Sequence, residues 1–284
     1  MSRNKKIACI TLDTEADFLD PTGRIRLFED EALFNRYVSI IKKYDIKVTS
    51  FLVTSLISKH GDSYRRLQDQ VPIEFAIHSH LHDMNNPCSR ADIEESVRAY
   101  RNFFGQNPNG YRAPVGQITR EGMQTLLDLG LRYDSSIYPS FRPGSMGYNN
   151  LHLPVEPFRV RNEAQSIIEI PFATLHGVRL VFSLSYTKLF GWTTYKWLTK
   201  IFPPPNQMSV LAHPHDYYFH LLADQVTAGE KPLLLRNARN AFDLFEKLII
   251  FLREAGYEFE FMSGLCDYLE TENLPAYEMD KIIR

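Results

Sequence analysis

The sequence predicts an α/β protein built on a parallel sheet, open or closed into a barrel. Short β-branched or apolar runs alternate with longer segments of helical periodicity along the whole chain, the pattern of repeated strand-helix-strand units. No repeat of fixed period, low-complexity tract or linker divides that pattern. The 284 residues suit one barrel-type domain, which typically takes about 250 residues, so residues 1–284 are read as a single catalytic domain.

Taken in order, Ile7 to Asp13 reads as the first strand, and Glu31 to Lys43 as a helix, because Leu33, Val38 and Ile41 recur at helical spacing. Lys47 to Thr54 is a strand, Leu56 to Gln70 a helix, and Ile73 to His78 a strand. A capping box, Ser89-Arg90-Ala91-Asp92, opens a helix that runs to Phe104. Gly110 to Pro114 is a short strand, and the helix Thr119 to Leu129 ends at the C-terminal cap Gly130 before the strand Leu131 to Ile137. From Tyr138 to Pro157 the chain is rich in Pro, Gly, Ser and Asn, a place for a substrate-contacting loop. Strands follow at Ser166 to Phe172 and Met208 to Ala212, then a long helix from Leu234 to Ala255 and a final strand from Glu258 to Met262.

Composition narrows the function classes. With 44% hydrophobic and 23% charged residues, the chain can bury a sizeable core. Lys plus Arg at 32 against Asp plus Glu at 34 gives no general electrostatic reason to bind nucleic acid. The 3 cysteines, Cys9, Cys88 and Cys266, are too few and too scattered for a disulfide framework, which fits a reducing compartment. The start of the chain has a basic beginning (Arg3, Lys5, Lys6), but the apolar run Ile7 to Ile10 is too short for a signal-peptide core, so a cytoplasmic location is expected.

Histidine carries the chemistry. His78, His80 and His82 crowd one strand end, and His213 and His215 flank Pro214 at another. In parallel α/β folds active sites gather beyond the carboxyl ends of the strands, so the two groups can converge on one pocket. Asp13 and Glu15 share a face if the first strand stays extended past Thr14, and His78 and His82 meet if the chain turns helically after its strand. Two imidazoles and a carboxylate form a ligand set that catalytic zinc uses for hydrolysis. A second carboxylate can act as base, and His213 as acid. Singly, each of these residues also fits a hydrogen-bonded loop or turn position.

In order along the chain, Thr11-Leu12-Asp13, His78-Ser79-x-x-His82, Arg112-x-Pro114-x-Gly116, Asp134-Ser135-Ser136 and Leu211-Ala212-His213 resemble the motifs of the polysaccharide deacetylase family, carbohydrate esterase family 4. The resemblance implies a distorted, incomplete (β/α) barrel of about seven strands. It also implies removal of N-acetyl groups from amino sugars with a divalent metal, zinc first and Co2+, Ni2+ or Mn2+ as substitutes. By the resemblance His78 and His82 are metal ligands, Asp13 is the base, Arg112 orients it, and His213 is the acid. Asp134 falls in a motif that positions substrate or tunes the acid. Substrate contacts are expected from Arg112, Pro114, Ser136 and Tyr138.

The first motif departs from the family's two adjacent aspartates: Asp13 is followed by Thr14 and Glu15. Glu15 then takes the ligand role, with Asp17 as the fallback, and the two carboxylates of Asp13 and Glu15 can exchange roles. His80 is expected to support the site structurally, His215 to line the pocket, and Asp216 to orient an imidazole.

A cytoplasmic enzyme does not reach finished cell-wall polymers, so the expected substrate is an N-acylated sugar in a precursor of a surface glycan such as an O-antigen or capsule, nucleotide- or polyprenyl-linked. The segment holding Tyr186, Phe190, Trp192, Tyr195, Trp197 and Phe202 with Lys188, Lys196 and Lys200 is a candidate for peripheral membrane contact. Two other readings stay open. One is hydrolysis of another C–N bond, as by a deformylase of a lipid-linked sugar or a cyclic imide or ureide hydrolase; the other is a catalytically silent carbohydrate-binding domain.

Overall fold

A computed structural model describes residues 5–18, 20–144, 147–163 and 165–283. Arg3, from the basic start, and part of the 138–157 loop lie outside the described residues.

The chain opens with β1 (Ile7–Thr14), buried along its whole length, as a strand covered on both faces must be. A single turn, α1 (Arg26–Glu29), leads to α2 (Glu31–Tyr44), whose N-cap Asp30 accepts bonds from Ala32 N and Leu33 N and whose buried face holds Phe34, Tyr37, Val38 and Ile41. β2 (Val48–Leu52), α3 (Ile57–Gln70), β3 (Ile73–Ile77) and α4 (Arg90–Phe104) follow as expected, within a residue or two. β4 (Gly110–Tyr111) and β5 (Tyr133–Asp134), on either side of α5 (Arg120–Asp128), are shorter than the sequence suggests. Their continuations leave the ladder because side chains take over its bonds: Ala113 N donates to Ser136 Oγ, and Ile137 N to Glu169 Oε1.

The irregular 138–157 stretch contains a small hairpin, β6 (Phe141–Arg142) and β7 (Tyr148–Asn149). The strand expected at Ser166 is β9 (Gln165–Glu169), paired antiparallel with a strand the periodicity did not single out, β8 (Phe158–Asn162). The aromatic segment folds as α6 (Leu184–Phe190) and α7 (Trp192–Ile201), broken at Gly191, and precedes β10 (Gln207–Ala212). The long helix expected from Leu234 starts later. Only the turn α8 (Lys231–Leu234) precedes Asn237, whose left-handed backbone (φ 55) interrupts the spiral, and α9 runs from Ala241 to Glu254. After β11 (Glu258–Phe259) the chain adds three elements the sequence reading did not assign: α10 (Met262–Glu270), β12 (Ala276–Glu278) and α11 (Met279–Ile282).

The sheet order is β10-β1-β2-β3-β4-β5-β9-β8-β12, with β11 on β1. The seven strands from β10 to β9 are all parallel to their neighbours, and beyond β9 a parallel bridge between Phe172 and Ser209 brings the chain back to β10. One bridge in place of a ladder makes this an incomplete (β/α) barrel. Helices cover the outside, and the main core packs between them and the strands.

Register positions the chemistry. Leu12 lies beside Ala212, Asp13 beside Phe51, Leu52 beside Ile77, Ile77 beside Tyr111, and Tyr111 beside Asp134. The next residues along β3, β4, β5 and β10 are His78, Arg112, Ser135 and His213, so one rim collects them all. No helix among the described residues is long and apolar enough to cross a membrane.

Candidate active site

At that rim a cavity of about 660 Å³ is lined by Asp13, Glu15, His78, His82, His213 and His215, with Asp17, Tyr138, Arg142 and Tyr186 around them. A cavity of this size admits a sugar-sized ligand.

Arg112 is the centre of the construction. It is fully buried, its guanidinium stacked between the rings of Phe51 (4.0 Å) and Phe172 (4.5 Å). Its nitrogens donate to Asp13 Oδ1 (2.5 Å), Thr11 Oγ1 (2.9 Å), Ser209 Oγ (2.5 Å), Ser135 Oγ (3.0 Å) and Ser135 O (3.1 Å). A rigid, permanently charged fork suits such a position. With Oδ1 of Asp13 tied to Arg112, Oδ2 faces His78 Nε2 at 3.9 Å. Arg112, expected both to orient Asp13 and to touch substrate, holds Asp13 Oδ1 from a fully buried position and does not line the cavity.

His78 Nδ1 sits 2.8 Å from the carbonyl oxygen of Arg112. The carbonyl can only accept, so Nδ1 carries the proton and Nε2 keeps its lone pair toward the site. Burial pushes the His78 pKa down to about 4, against the charge of Asp13, so this imidazole is neutral at physiological pH, as a ligand must be. His82 Nε2 lies 2.7 Å from Glu15 Oε2, which is 3.9 Å from His78 Nε2. Burial alone would raise the Glu15 carboxyl, but the His82 bond and the charges of His213 and His82 hold it far below the usual range. One ligand atom each from Glu15, His78 and His82 falls within 4.8 Å of the others. Burial lowers the His82 pKa, but the Glu15 bond and charge raise it on balance, so His82 would give up a proton when a metal binds; with that, the two imidazole nitrogens and the ionised carboxylate on one side of an accessible cavity fit a divalent metal with an open position.

The histidines do not meet as expected. Residues 78–82 form a tight turn rather than a helical one, with Ser79 at φ 67 and His82 at φ 56. These strained positions are held by Ser79 Oγ, which accepts His82 N (3.0 Å), and by Asp92, whose carboxylate accepts His80 N (2.8 Å) and Leu81 N (2.9 Å). The capping box is therefore half formed. Ser89 Oγ caps Asp92 N, but the Asp92 side chain reaches the histidine turn instead of the Ser89 N–H. His80 points away, its Nδ1 3.0 Å from Thr54 Oγ1.

Glu15 likewise arrives by a turn. The strand stops at Thr14, and Glu15 N bonds back to Asp13 O. The fallback Asp17 also lines the cavity, but its carboxylate already accepts Tyr218 Oη and the Arg26 N–H.

Across the cavity, His213 Nδ1 is 3.2 Å from Asp216 Oδ2, which also accepts the His213 N–H (2.8 Å). Burial lowers the His213 pKa and the Asp216 bond and Glu15 charge raise it, with a net rise to about 9. It is a protonated imidazole near neutral pH, suited to give a proton. His215 stacks on it, ring centroids 5.0 Å apart and 13° from parallel, with its own pKa lowered to about 4 by burial and by His213.

Two expected substrate contacts, Pro114 and Ser136, and the motif residue Asp134 lie elsewhere. All three are buried behind the wall and do not line the cavity; Ala113, Val115 and Gly116 do. Gly116 is needed there, since a Cβ would meet the Tyr138 ring at 2.5 Å, and its φ of +69 strains any side chain. Tyr138 lines the cavity with its edge only. Phe172 stacks on it at 3.7 Å and Tyr148 at 5.3 Å, both nearly parallel, so its faces are taken.

Residues 2–133 match the family described as polysaccharide deacetylase. Over that stretch, a little under half of the 284 residues, the chain is similar to polysaccharide deacetylases. That stretch includes the Asp13, Glu15, His78, His82 and Arg112 constellation, and His213 joins it from beyond. No curated protein matches the sequence. A solved structure from Mycobacterium smegmatis, assigned as a polysaccharide deacetylase, superposes at TM-score 0.61 with 15% identity over 97% of this chain and 94% of the other. The allantoinase Puue matches at 0.59 with 13% identity over 94% and 91%. A carbohydrate esterase family 4 pseudoenzyme from Bacillus anthracis matches at 0.54 with 15% identity over 97% and 70%. At such identities the likeness speaks for the fold.

Behind the cavity wall sits a residue the motifs did not flag, Glu169. Its Oε2 and Asp134 Oδ2 are both buried without a hydrogen-bond partner among fixed donors, while Ser136 Oγ donates to Asp134 Oδ1 and Ile137 N to Glu169 Oε1. Two buried acceptors side by side need a shared proton. Burial, and then the Asp134 charge, push Glu169 well above the usual carboxyl range; burial raises Asp134 to about 6 against its bonds to Glu169 and Ser136. Both folded-state values exceed those of an unfolded chain, so the native state binds the extra proton. Stability from the pair is present at low pH and falls as pH rises through about 6. In Glu169→Gln an amide N–H replaces that proton. Thermal melts from pH 5 to 9 should show the wild-type midpoint falling above about pH 6 relative to that of the variant; parallel curves would refute the shared proton.

Proposed function

We propose that the protein is a metal-dependent hydrolase that removes an N-acetyl group from an amino sugar in a precursor of a surface glycan. The observation that carries the reading is Asp13 Oδ2, fixed by Arg112, facing the Glu15, His78 and His82 cluster with a protonated His213 across the cavity.

Glu15, His78 and His82 would hold the metal. When bound, a divalent ion supplies a Lewis acid for the acyl carbonyl and acidifies a water toward a pKa of about 7. Zinc suits this donor set best, with Co2+, Ni2+ or Mn2+ as substitutes. Asp13 Oδ2 accepts the water's proton while Arg112 keeps the carboxylate from turning. His213, held through Nδ1 by Asp216, gives its proton from Nε2 to the departing amine. The Tyr138 edge and the Val115–Gly116 turn border the space for the sugar.

A cytoplasmic protein acting at the inner face of the membrane on a nucleotide- or polyprenyl-linked sugar completes the proposal. Of the aromatic segment, Tyr195 is buried, Trp192 packs on Phe251, and Lys188 is buried rather than at the surface. What remains on the exposed side of α7 is Trp197 and Ile201, 60% and 51% exposed, beside Lys196 and Lys200, with no carboxylate on the helix. Replacing Trp197 and Lys200 together by Ala should weaken sedimentation with phosphatidylglycerol-containing liposomes several-fold, since each lysine near an anionic surface is worth about 1 kcal/mol. Unchanged sedimentation would remove the membrane contact from the proposal.

A panel tests the reaction. Zinc-loaded protein is incubated with N-acetylated sugars, free and carrier-linked, with N-formylated sugars, and with cyclic ureides. Acetate and free amine appearing in equal amounts from an N-acetyl sugar supports deacetylation. Turnover confined to the formyl compounds or ureides would transfer the same site to another C–N bond.

A further inference from the structure

Among the groups around the cavity, one buried cation has no role in the chemistry above. Lys188, on α6, has a side chain 6% exposed. Its Nζ lies 2.6 Å from Asp216 Oδ1 and 3.1 Å from the Asp216 carbonyl oxygen, over the Phe219 ring at 5.5 Å. Ser185, one turn earlier on the same helix, donates to both carboxylate oxygens, at 3.0 Å and 2.8 Å. Asn237 Nδ2 in turn holds the Lys188 carbonyl at 2.7 Å. Asp216 is therefore gripped from α6 through Oδ1 and turned toward His213 with Oδ2.

We propose that Lys188 and Ser185 are positioning residues that fix the Asp216 carboxylate so that it holds the His213 Nδ1–H and leaves Nε2 directed to the cavity. The inference rests on the reading of His213 as the acid. A buried ion pair gains a protein little stability over well-packed apolar residues, so the desolvation of Lys188 and Asp216 is not explained by stability. It is explained by proton placement. A carboxylate buried beside an imidazolium without a second cation is a competing home for the proton; a lysine 2.6 Å from its other oxygen keeps it ionised and the proton on the imidazole. Ser185 removes the remaining freedom of rotation.

The clamp is tested by proton and ¹⁵N NMR of zinc-loaded, ¹⁵N-histidine-labelled protein. The wild type should show a downfield, slowly exchanging Nδ1–H, assigned to His213 by its loss in His213→Gln. It should persist in Lys188→Arg, weaken in Ser185→Ala, and broaden or vanish in Lys188→Met. With a hydrolysed substrate in hand, Lys188→Met should lower kcat about 10- to 100-fold, the range for supporting partners of site residues, with KM unchanged. An Nδ1–H resonance unaltered in position and exchange rate in both Lys188→Met and Ser185→Ala would overturn the clamp. If the resonance responds as expected but no substrate is hydrolysed, the clamp stands and the acid role of His213 fails.

Discussion

Asn in place of Asp13 should lower kcat for acyl hydrolysis by about 10²- to 10⁴-fold, the range for losing a general base, with KM little changed. The amide keeps the shape of the carboxylate and can still accept from Arg112, but it has no basic oxygen to turn toward the His78 side of the cavity. Metal content should stay at the wild-type level, because the ligand atoms belong to Glu15, His78 and His82. Full activity in Asp13→Asn would move the base to another carboxylate, and loss of metal in that variant would place Asp13 among the ligands.

Arg112→Met should be the most destabilising single substitution at the site. Asp13 is only 3% exposed, and removing one member of a buried pair strands the other charge, at a cost of about 3–5 kcal/mol. The donors lost to Ser209, Thr11 and Ser135 add to it. Chemical denaturation measures this directly. The double variant Asp13→Leu/Arg112→Met should recover much of the loss, since neither charge remains to be solvated, while staying inactive. Arg112→Lys should rescue only in part, because one ammonium cannot span Asp13, Ser135 and Ser209 at once. Additive losses in the double variant would mean that the two residues do not form the unit described.

Local pattern carried most of the architecture. β1 to β3 and α2 to α4 follow from apolar periodicity and caps, within a residue or two. The rim of strand ends then brings Asp13, His78, Arg112 and His213 together, although their separation in sequence spans the chain. What local pattern could not carry was how the ligands turn into place. Alternation along β1 favoured Glu15 over Thr14, but the strand ends at Thr14 and a tight backbone turn delivers Glu15. Helical spacing brought His78 and His82 together on paper; two left-handed residues and the distant Asp92 do so in the fold.

Tertiary pairs account for the remaining differences. Asp92 reads as a capping residue until the histidine turn is packed against its helix. Lys188 reads as a surface lysine until Asp216 arrives beside it from β10. Glu169 carried a usable signal, a carboxylate inside the apolar run Ile167-Ile168-Glu169-Ile170, which on a barrel strand implies a buried partner. Asp134 and Ser136 were legible as a motif, but their place behind the wall depends on Ala113 N and Glu169, both distant in sequence. Tyr138 was expected at the substrate, yet only the packing of Phe172 and Tyr148 shows that it offers an edge rather than a face.

The roles proposed for Asp13 and His213 depend on a metal held by Glu15, His78 and His82. Mass spectrometry of the native protein after zinc addition and removal of excess measures it. The expected result is one equivalent per chain, kept in Asp17→Ala and lost in Glu15→Ala, as the removal of one of three ligands requires. Less than about one tenth of an equivalent in the wild type, a level at which no closed three-ligand site is filled, would contradict the account and favour a silent binding domain.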